Sequence, residues 1–184
     1  QKERMKNTNH SLFDKYEMIK DLGTGSSGSV TLVRHISMDQ ERALKKVPKS
    51  SAFAESALSE ARLLKSLEHP SIPRIFDFEE DNAFYYIVEE YIDGETLDSF
   101  LLHQQLISPG LFFNICEQLC NVFIYLHTQI STPIIYRDLK PEHIIVCHNK
   151  LKLIDFGVSA YVIQDGNNFN HYGNIEFSAP ECFT

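Results

Sequence analysis

The glycine run Gly23-Thr24-Gly25-Ser26-Ser27-Gly28, together with what stands on either side of it, constrains this chain more than any other feature. Glycines at this spacing serve two unrelated architectures. In a doubly wound parallel sheet they close a strand and open a helix, and an acidic residue follows about twenty positions on. In an antiparallel hairpin they join two strands. Here Tyr16 to Leu22 reads as a strand before the run, and Val30-Thr31-Leu32-Val33 opens a second that continues to His35. A third strand follows around Arg42 to Val47 and is broken by Pro48 and the polar Lys49-Ser50-Ser51. The hairpin fits this order and the strand-to-helix turn does not.

The period then changes. Ala57, Leu58, Ala61, Leu64 and Leu67 recur at three- and four-residue spacing and predict a helix over 54–67, terminated at His69-Pro70. Two further strands, near Arg74 to Phe78 and Phe84 to Glu90, complete a five-stranded antiparallel sheet. From Thr96 the pattern is helical. A short helix reaches about His103, and a longer one opens at Ser108-Pro109, a cap residue followed by proline, and runs to about His127. Its apolar positions (Leu111, Phe112, Phe113, Ile115, Leu119, Val122, Phe123, Ile124, Leu126) cover nearly every face, the pattern of a buried helix. Residues 1 to about 12 are polar and aperiodic and predict a disordered lead-in.

Bulk properties exclude some functions. A net charge of −8 argues against nucleic acid, whose phosphates need a basic face. No apolar run approaches membrane-spanning length, and no signal segment opens the chain. The cysteines Cys116, Cys120, Cys147 and Cys182 form no C-x-x-C pair. Cys116 and Cys120, one helical turn apart in an apolar run, read as small buried thiols, and a reduced, cytoplasmic setting is expected.

The chemistry lies further on. Tyr136-Arg137-Asp138-Leu139-Lys140-Pro141-Glu142-His143 resembles the catalytic loop H-R-D-L-x-x-x-N of protein kinases, and Asp155-Phe156-Gly157 resembles their metal-binding D-F-G. Preceded in order by the glycine run and by Ala43-Leu44-Lys45, they make the chain similar to the eukaryotic-type (Hanks-type) serine/threonine protein kinases, including bacterial ones, from about Tyr16 to Glu181. The resemblance implies an α+β, two-lobed fold, with a five-stranded antiparallel small lobe over about 13–92 and a helical large lobe from about 93. It also implies ATP and magnesium or manganese as cofactors, and proteins as substrates.

Carried onto this sequence, the resemblance gives each residue a task. Leu22, Gly23, Thr24, Gly25, Ser26, Ser27, Gly28, Ser29 and Val30 would bring backbone close to the phosphates, where side chains intrude. Lys45 would hold the α and β phosphates and pair with Glu60. Val30, Ala43 and Ile145 would sandwich the adenine, and Glu90 and Tyr91 would form the hinge that hydrogen-bonds it. Asp138 would accept the substrate hydroxyl's proton and aim the hydroxyl. Lys140 is the serine/threonine signature, and Asp155 and His143 fall at the metal-binding positions. Arg137 precedes the catalytic Asp as in kinases whose activation loop is ordered by phosphorylation.

Four residues depart from the family pattern. Tyr136 replaces the usual His, at a packing position beneath Phe156. His143 replaces an Asn that gives the metal an oxygen, although magnesium prefers oxygen ligands; His143 either ligates a metal or only braces the loop. Asn174 replaces a Thr, and Glu89 stands where an apolar or small polar residue is commoner. The chain stops shortly after Ala179-Pro180-Glu181, so further large-lobe helices are expected beyond it, and the chain alone is expected to be inactive. The reading is ATP-dependent phosphorylation of Ser or Thr in proteins. The rivals are a pseudokinase acting as a nucleotide-binding or scaffolding module, and a small-molecule kinase.

Overall fold

Short runs of apolar and β-branched residues bounded by turn residues build the sheet that the sequence predicts. In the computed structural model, which describes residues 11–25, 28–104, 106–162 and 176–178, strands β1 (Tyr16–Gly25), β2 (Gly28–His35), β3 (Gln40–Pro48), β4 (Ile75–Glu80) and β5 (Phe84–Glu90) pair antiparallel in the order β1-β2-β3-β5-β4. Residues opposite one another across a ladder share a face. Leu44 opposite Val88 and Lys46 opposite Tyr86 lie on one face, where Leu12, Tyr16, Val33, Leu44, Tyr86 and Val88 form a buried cluster. Ala43, Lys45 and Val47 lie on the other, opposite Glu89, Ile87 and Tyr85.

A short helix α1 (Leu12–Lys15) leads into β1 behind a capping box, with Ser11 Oγ accepting from the Phe13 N–H and the Asp14 carboxylate accepting from the Ser11 N–H. Leu12 is 1% exposed, and Lys15 Nζ lies 2.7 Å from Asp77. Burying one such leucine is worth about 1.5–3 kcal/mol. Hence Ser11 and Leu12, which the sequence counts with the lead-in, are part of the fold; the rest of that lead-in lies outside the described residues. The chain divides into two units, residues to Ala54 with Ile75–Tyr91, and Glu55–Arg74 with residues from Ile92 onward.

Helix α2 (Ala54–Lys65) belongs, from Glu55 onward, to the second unit. Its ties explain the grouping: Ser56 Oγ donates to the Gly157 carbonyl at 2.7 Å, and the Phe156 N–H donates to Glu60 Oε1 at 2.9 Å. Strand β6 (Glu95–Thr96), helix α3 (Leu97–His103) and helix α4 (Pro109–Ile124) follow, α4 with its Ser108 cap accepting from the Leu111 N–H. A π-helical turn, Tyr125–Gln129, ends it. Strands β7 (Ile134–Ile135), β8 (Ile144–Cys147), β9 (Lys150–Leu153) and β10 (Ala160–Tyr161) were not foreseen; β6-β8-β9 form one small sheet and β7-β10 another. Strands of two residues, as β7 and β10, or of four, as β8 and β9, carry too short an alternation to read. Ile72, Leu126, Ile134, Tyr136, Leu153 and Phe156, each at most 2% exposed, make this unit's core.

Helix α4 departs from the fully buried pattern. Ile115 and Val122 are buried, but Phe112, Phe113 and Ile124 are 53%, 67% and 49% exposed among the described residues. Cys120, one turn from Ile124, is exposed with them and Cys116 is half-buried, so the expectation of two buried thiols fails. Among the described residues no helix is long and apolar enough to cross a membrane.

Candidate active site

The residues assigned to nucleotide binding in the first unit are set by strand register. Gly23 stands opposite Val30, Thr24 opposite Ser29 and Gly25 opposite Gly28, so the glycine run is the end of an antiparallel hairpin. Ser26 and Ser27 lie outside the described residues. The three glycines are not equivalent. A Cβ on Gly28, whose φ is +142°, would meet the Lys46 carbonyl oxygen at 2.1 Å, so packing on β3 demands glycine there. A Cβ on Gly23 or Gly25 would meet nothing within 4 Å among the described residues, which leaves one side of the backbone open, of the kind a phosphate group can approach.

Lys45 sits between Val30 on one side and Ile87 on the other. Lys46 takes the opposite face, its Nζ 4.0 Å from the centre of the Phe84 ring, as strand alternation requires. Ala43 is buried and faces Leu32 and Glu89 across its two ladders; Glu89 thus shares the face of Lys45. Leu22 is 39% exposed in β1. Glu90 ends β5 opposite Arg42, and Tyr91 is the last residue of the unit.

In the second unit the geometry comes from loops. Arg137 and Asp155 both adopt left-handed backbone, with φ of 74° and 61°. That is uncommon outside glycine and marks positions held by their surroundings. Tyr136 supplies part of the hold: its ring meets Phe156 edge-on at 5.0 Å, and its hydroxyl donates to the Ile154 carbonyl, one residue before Asp155. Burial first, then the nearby carboxylates of Asp155, Asp138 and Glu60, push the Tyr136 hydroxyl far above its ordinary pKa, so it remains a donor. The packing role expected for this aromatic departure is therefore accompanied by a hydrogen bond the sequence did not announce.

Asp138, Lys140, His143 and Asp155 converge. Lys140 Nζ lies 3.4 Å from Asp138 Oδ2. His143, 8% exposed, places Nδ1 3.0 Å from the Asp138 carbonyl oxygen and 3.4 Å from Asp138 Oδ2, while its Nε2 is 3.3 Å from Asp155 Oδ2. Asp155 Oδ1 accepts from the Gly157 N–H at 3.3 Å. Glu60, expected as the partner of Lys45, belongs to this unit and accepts from Phe156 as described. The bond from Ser56 to Gly157 was missed; its only sequence signal is that Ser56 and Glu60 lie four apart on one helix face. Ile145 pairs with Thr96 and Lys152, and its Cγ2 would lie 2.7 Å from a Cβ on Gly94. Asn174 and Ala179-Pro180-Glu181 lie outside the described residues.

The carboxylate of Asp155 and the imidazole of His143 are a donor pair of the type that holds a divalent cation. Among the described residues no group of three or more His, Cys, Asp or Glu side chains is placed to enclose one. A two-ligand edge suits an ion that takes its remaining ligands from phosphates and water.

Against known proteins, the sequence profile described as the protein kinase domain matches residues 16–184. Three curated relatives are similar to the chain. Serine/threonine-protein kinase PrkC of Bacillus subtilis is 30% identical over 176 residues, covering 91% of this chain and 26% of the relative. Serine/threonine-protein kinase ppk25 of Schizosaccharomyces pombe is 34% identical over 167 residues, covering 88% and 39%. Calcium-dependent protein kinase 4 of Plasmodium falciparum is 33% identical over 192 residues, covering 96% and 35%. The chain thus spans roughly a quarter to two-fifths of the length of these relatives.

Proposed function

The chain belongs to the protein kinase domain family, and from that premise we propose that the protein transfers the γ-phosphoryl group of ATP to serine or threonine hydroxyls of protein substrates. The observation that carries the reading is the convergence in the second unit: Asp138 with Lys140 at 3.4 Å, and His143 between Asp138 and Asp155. Serine and threonine are favoured as acceptors by Lys140 and by the two relatives named as serine/threonine-protein kinases.

Phosphoryl transfer asks a protein for positioning and charge rather than covalent help. Asp138 accepts a hydrogen bond from the substrate hydroxyl, orients it and takes its proton as the oxygen bonds to the γ-phosphorus and the bond to ADP breaks. Lys140 beside Asp138 adds positive charge where the transferring group passes. Lys45 holds the α and β phosphates, and the open backbone at Gly23 and Gly25 approaches them. When bound, a divalent ion held by Asp155 and His143 neutralises the phosphate charge. Glu60 and Ser56 fix the backbone on either side of Phe156 and so aim Asp155.

The test is metal-dependent transfer from labelled ATP to generic protein acceptors, followed by identification of the phosphorylated residue. Asp138→Asn should lower the rate by about 10²–10⁴-fold with nucleotide binding kept, and Lys45→Met should abolish transfer. Near wild-type rates in either variant sink the assignment. Nucleotide binding without transfer in the wild type would point instead to a binding module.

A further inference from the structure

The imidazole of His143 is anchored through one nitrogen and offers the other. Nδ1 lies 3.0 Å from the Asp138 carbonyl oxygen. A carbonyl only accepts, so Nδ1 carries a proton, and in the neutral ring Nε2 presents its lone pair. That lone pair faces Asp155 Oδ2 at 3.3 Å. The ring cannot turn away cheaply. Its residue is 8% exposed, its N–H donates to the Lys140 carbonyl at 3.0 Å, and its own carbonyl accepts from the Ile154 N–H at 2.8 Å.

Two acceptors at this separation need something positive between them. Two ligands of one small divalent ion, each about 2.0–2.2 Å from it, stand about 3.0–3.5 Å apart in octahedral or tetrahedral geometry. The observed 3.3 Å falls in that range. Resting on the reading of Asp155 as a metal-binding residue, we propose that His143 Nε2 and Asp155 Oδ2 form one edge of the nucleotide-metal site, and that this mixed nitrogen and oxygen edge selects a divalent transition ion over magnesium. Magnesium favours an all-oxygen shell, whereas imidazole is an ordinary ligand for first-row transition ions. The anchoring bond to Asp138 is the kind of second contact that fixes the tautomer and orientation of a ligating histidine. It also couples the metal edge to the residue that receives the acceptor's proton.

The experiment uses Mn²⁺ with a non-hydrolysable ATP analogue. Electron spin echo spectra of bound Mn²⁺ should show modulation from a directly coordinated ¹⁴N, and growth on ¹⁵N-histidine should replace it by the ¹⁵N pattern. Isotope labelling needs no substitution, so a folding failure cannot obscure the result. In His143→Asn the histidine modulation should disappear, and the Mn²⁺-to-Mg²⁺ affinity ratio of the nucleotide complex, read by calorimetry, should fall about tenfold or more. Nucleotide-bound Mn²⁺ with no histidine coupling in the wild type overturns the proposal and leaves the kinase reading standing. An unchanged affinity ratio in a folded His143→Asn also overturns it. Failure of the nucleotide to bind with either ion overturns both.

Discussion

Lys45 and Asp138 hold their places by different means. Lys45 is fixed by backbone ladders on both flanks, opposite Val30 and Ile87, and its side chain points where strand alternation sends it. Asp138 stands on a loop beside a left-handed Arg137, and its surroundings are fixed by side chains reaching backbone: Tyr136 to Ile154, Ser159 to Tyr136, His143 to Asp138 itself. In the sheet half, side chains are passengers on a backbone that specifies itself. In the loop half, the backbone is placed by the side chains. The first should therefore be sensitive to changes that obstruct the main chain, the second to the loss of single polar atoms.

The largest effect should come from the sheet half. Gly28→Ala puts a methyl group 2.1 Å from the Lys46 carbonyl oxygen at a φ of +142°. The strain, plus the broken β2–β3 contact, should cost at least about 3 kcal/mol of stability, read by denaturant unfolding. Gly25→Ala meets nothing within 4 Å among the described residues, so it should fold nearly as well as the wild type and lose nucleotide affinity instead. Equal stabilities for the two variants would mean that the hairpin end is not set by register.

A single hydroxyl tests the loop half. Tyr136→Phe keeps the edge-on packing against Phe156 and deletes the donor to the Ile154 carbonyl. Leaving a partly buried acceptor without that donor should cost about 1 kcal/mol. Because Ile154 precedes the left-handed Asp155, transfer should fall by more than the stability change alone explains. A variant with wild-type stability and rate would show that ring packing alone positions the segment.

The same contrast decides how much the sequence could tell. All five strands of the large sheet were legible, because short runs of apolar, aromatic and β-branched residues carry them and Pro48 and the glycines punctuate them. The face of Lys45 followed from counting. In the second unit, periodicity found α2, α3 and α4 but not which face of α4 stays exposed, since that depends on what packs beside it. Asp138 and Asp155 were reached only through the resemblance of their motifs. Their left-handed or loop backbone leaves no periodic trace, and neither the hydroxyl bond of Tyr136 nor the two contacts of His143 follow from residue type. The distinct role of Gly28 was also hidden, because G-x-G-x-x-G marks three glycines alike.

The smallest effect separates the halves by pH. His69 in the second unit accepts the Ser71 N–H through Nδ1 at 3.1 Å and lies against the Tyr125 ring at 5.1 Å. Burial, and then the positive charge of Lys152, lower its pKa from the ordinary 6.5. The folded state therefore favours neutral His69. Above the ordinary value this contribution is complete. As pH falls through it, the unfolded chain takes up the proton first, so stability declines until the lowered folded value is passed and then levels off. The decline should be the smallest of these effects, because the ring is only partly buried and solvent screens its charge. His69→Asn supplies an acceptor that does not titrate, so its denaturation midpoint should fall less than the wild type's between pH 7.5 and 5. The difference between the two curves cancels the other histidines. If the curves run parallel, His69 titrates equally in both states, and the loop half is no more sensitive to protonation at this position than the backbone ladder of the sheet.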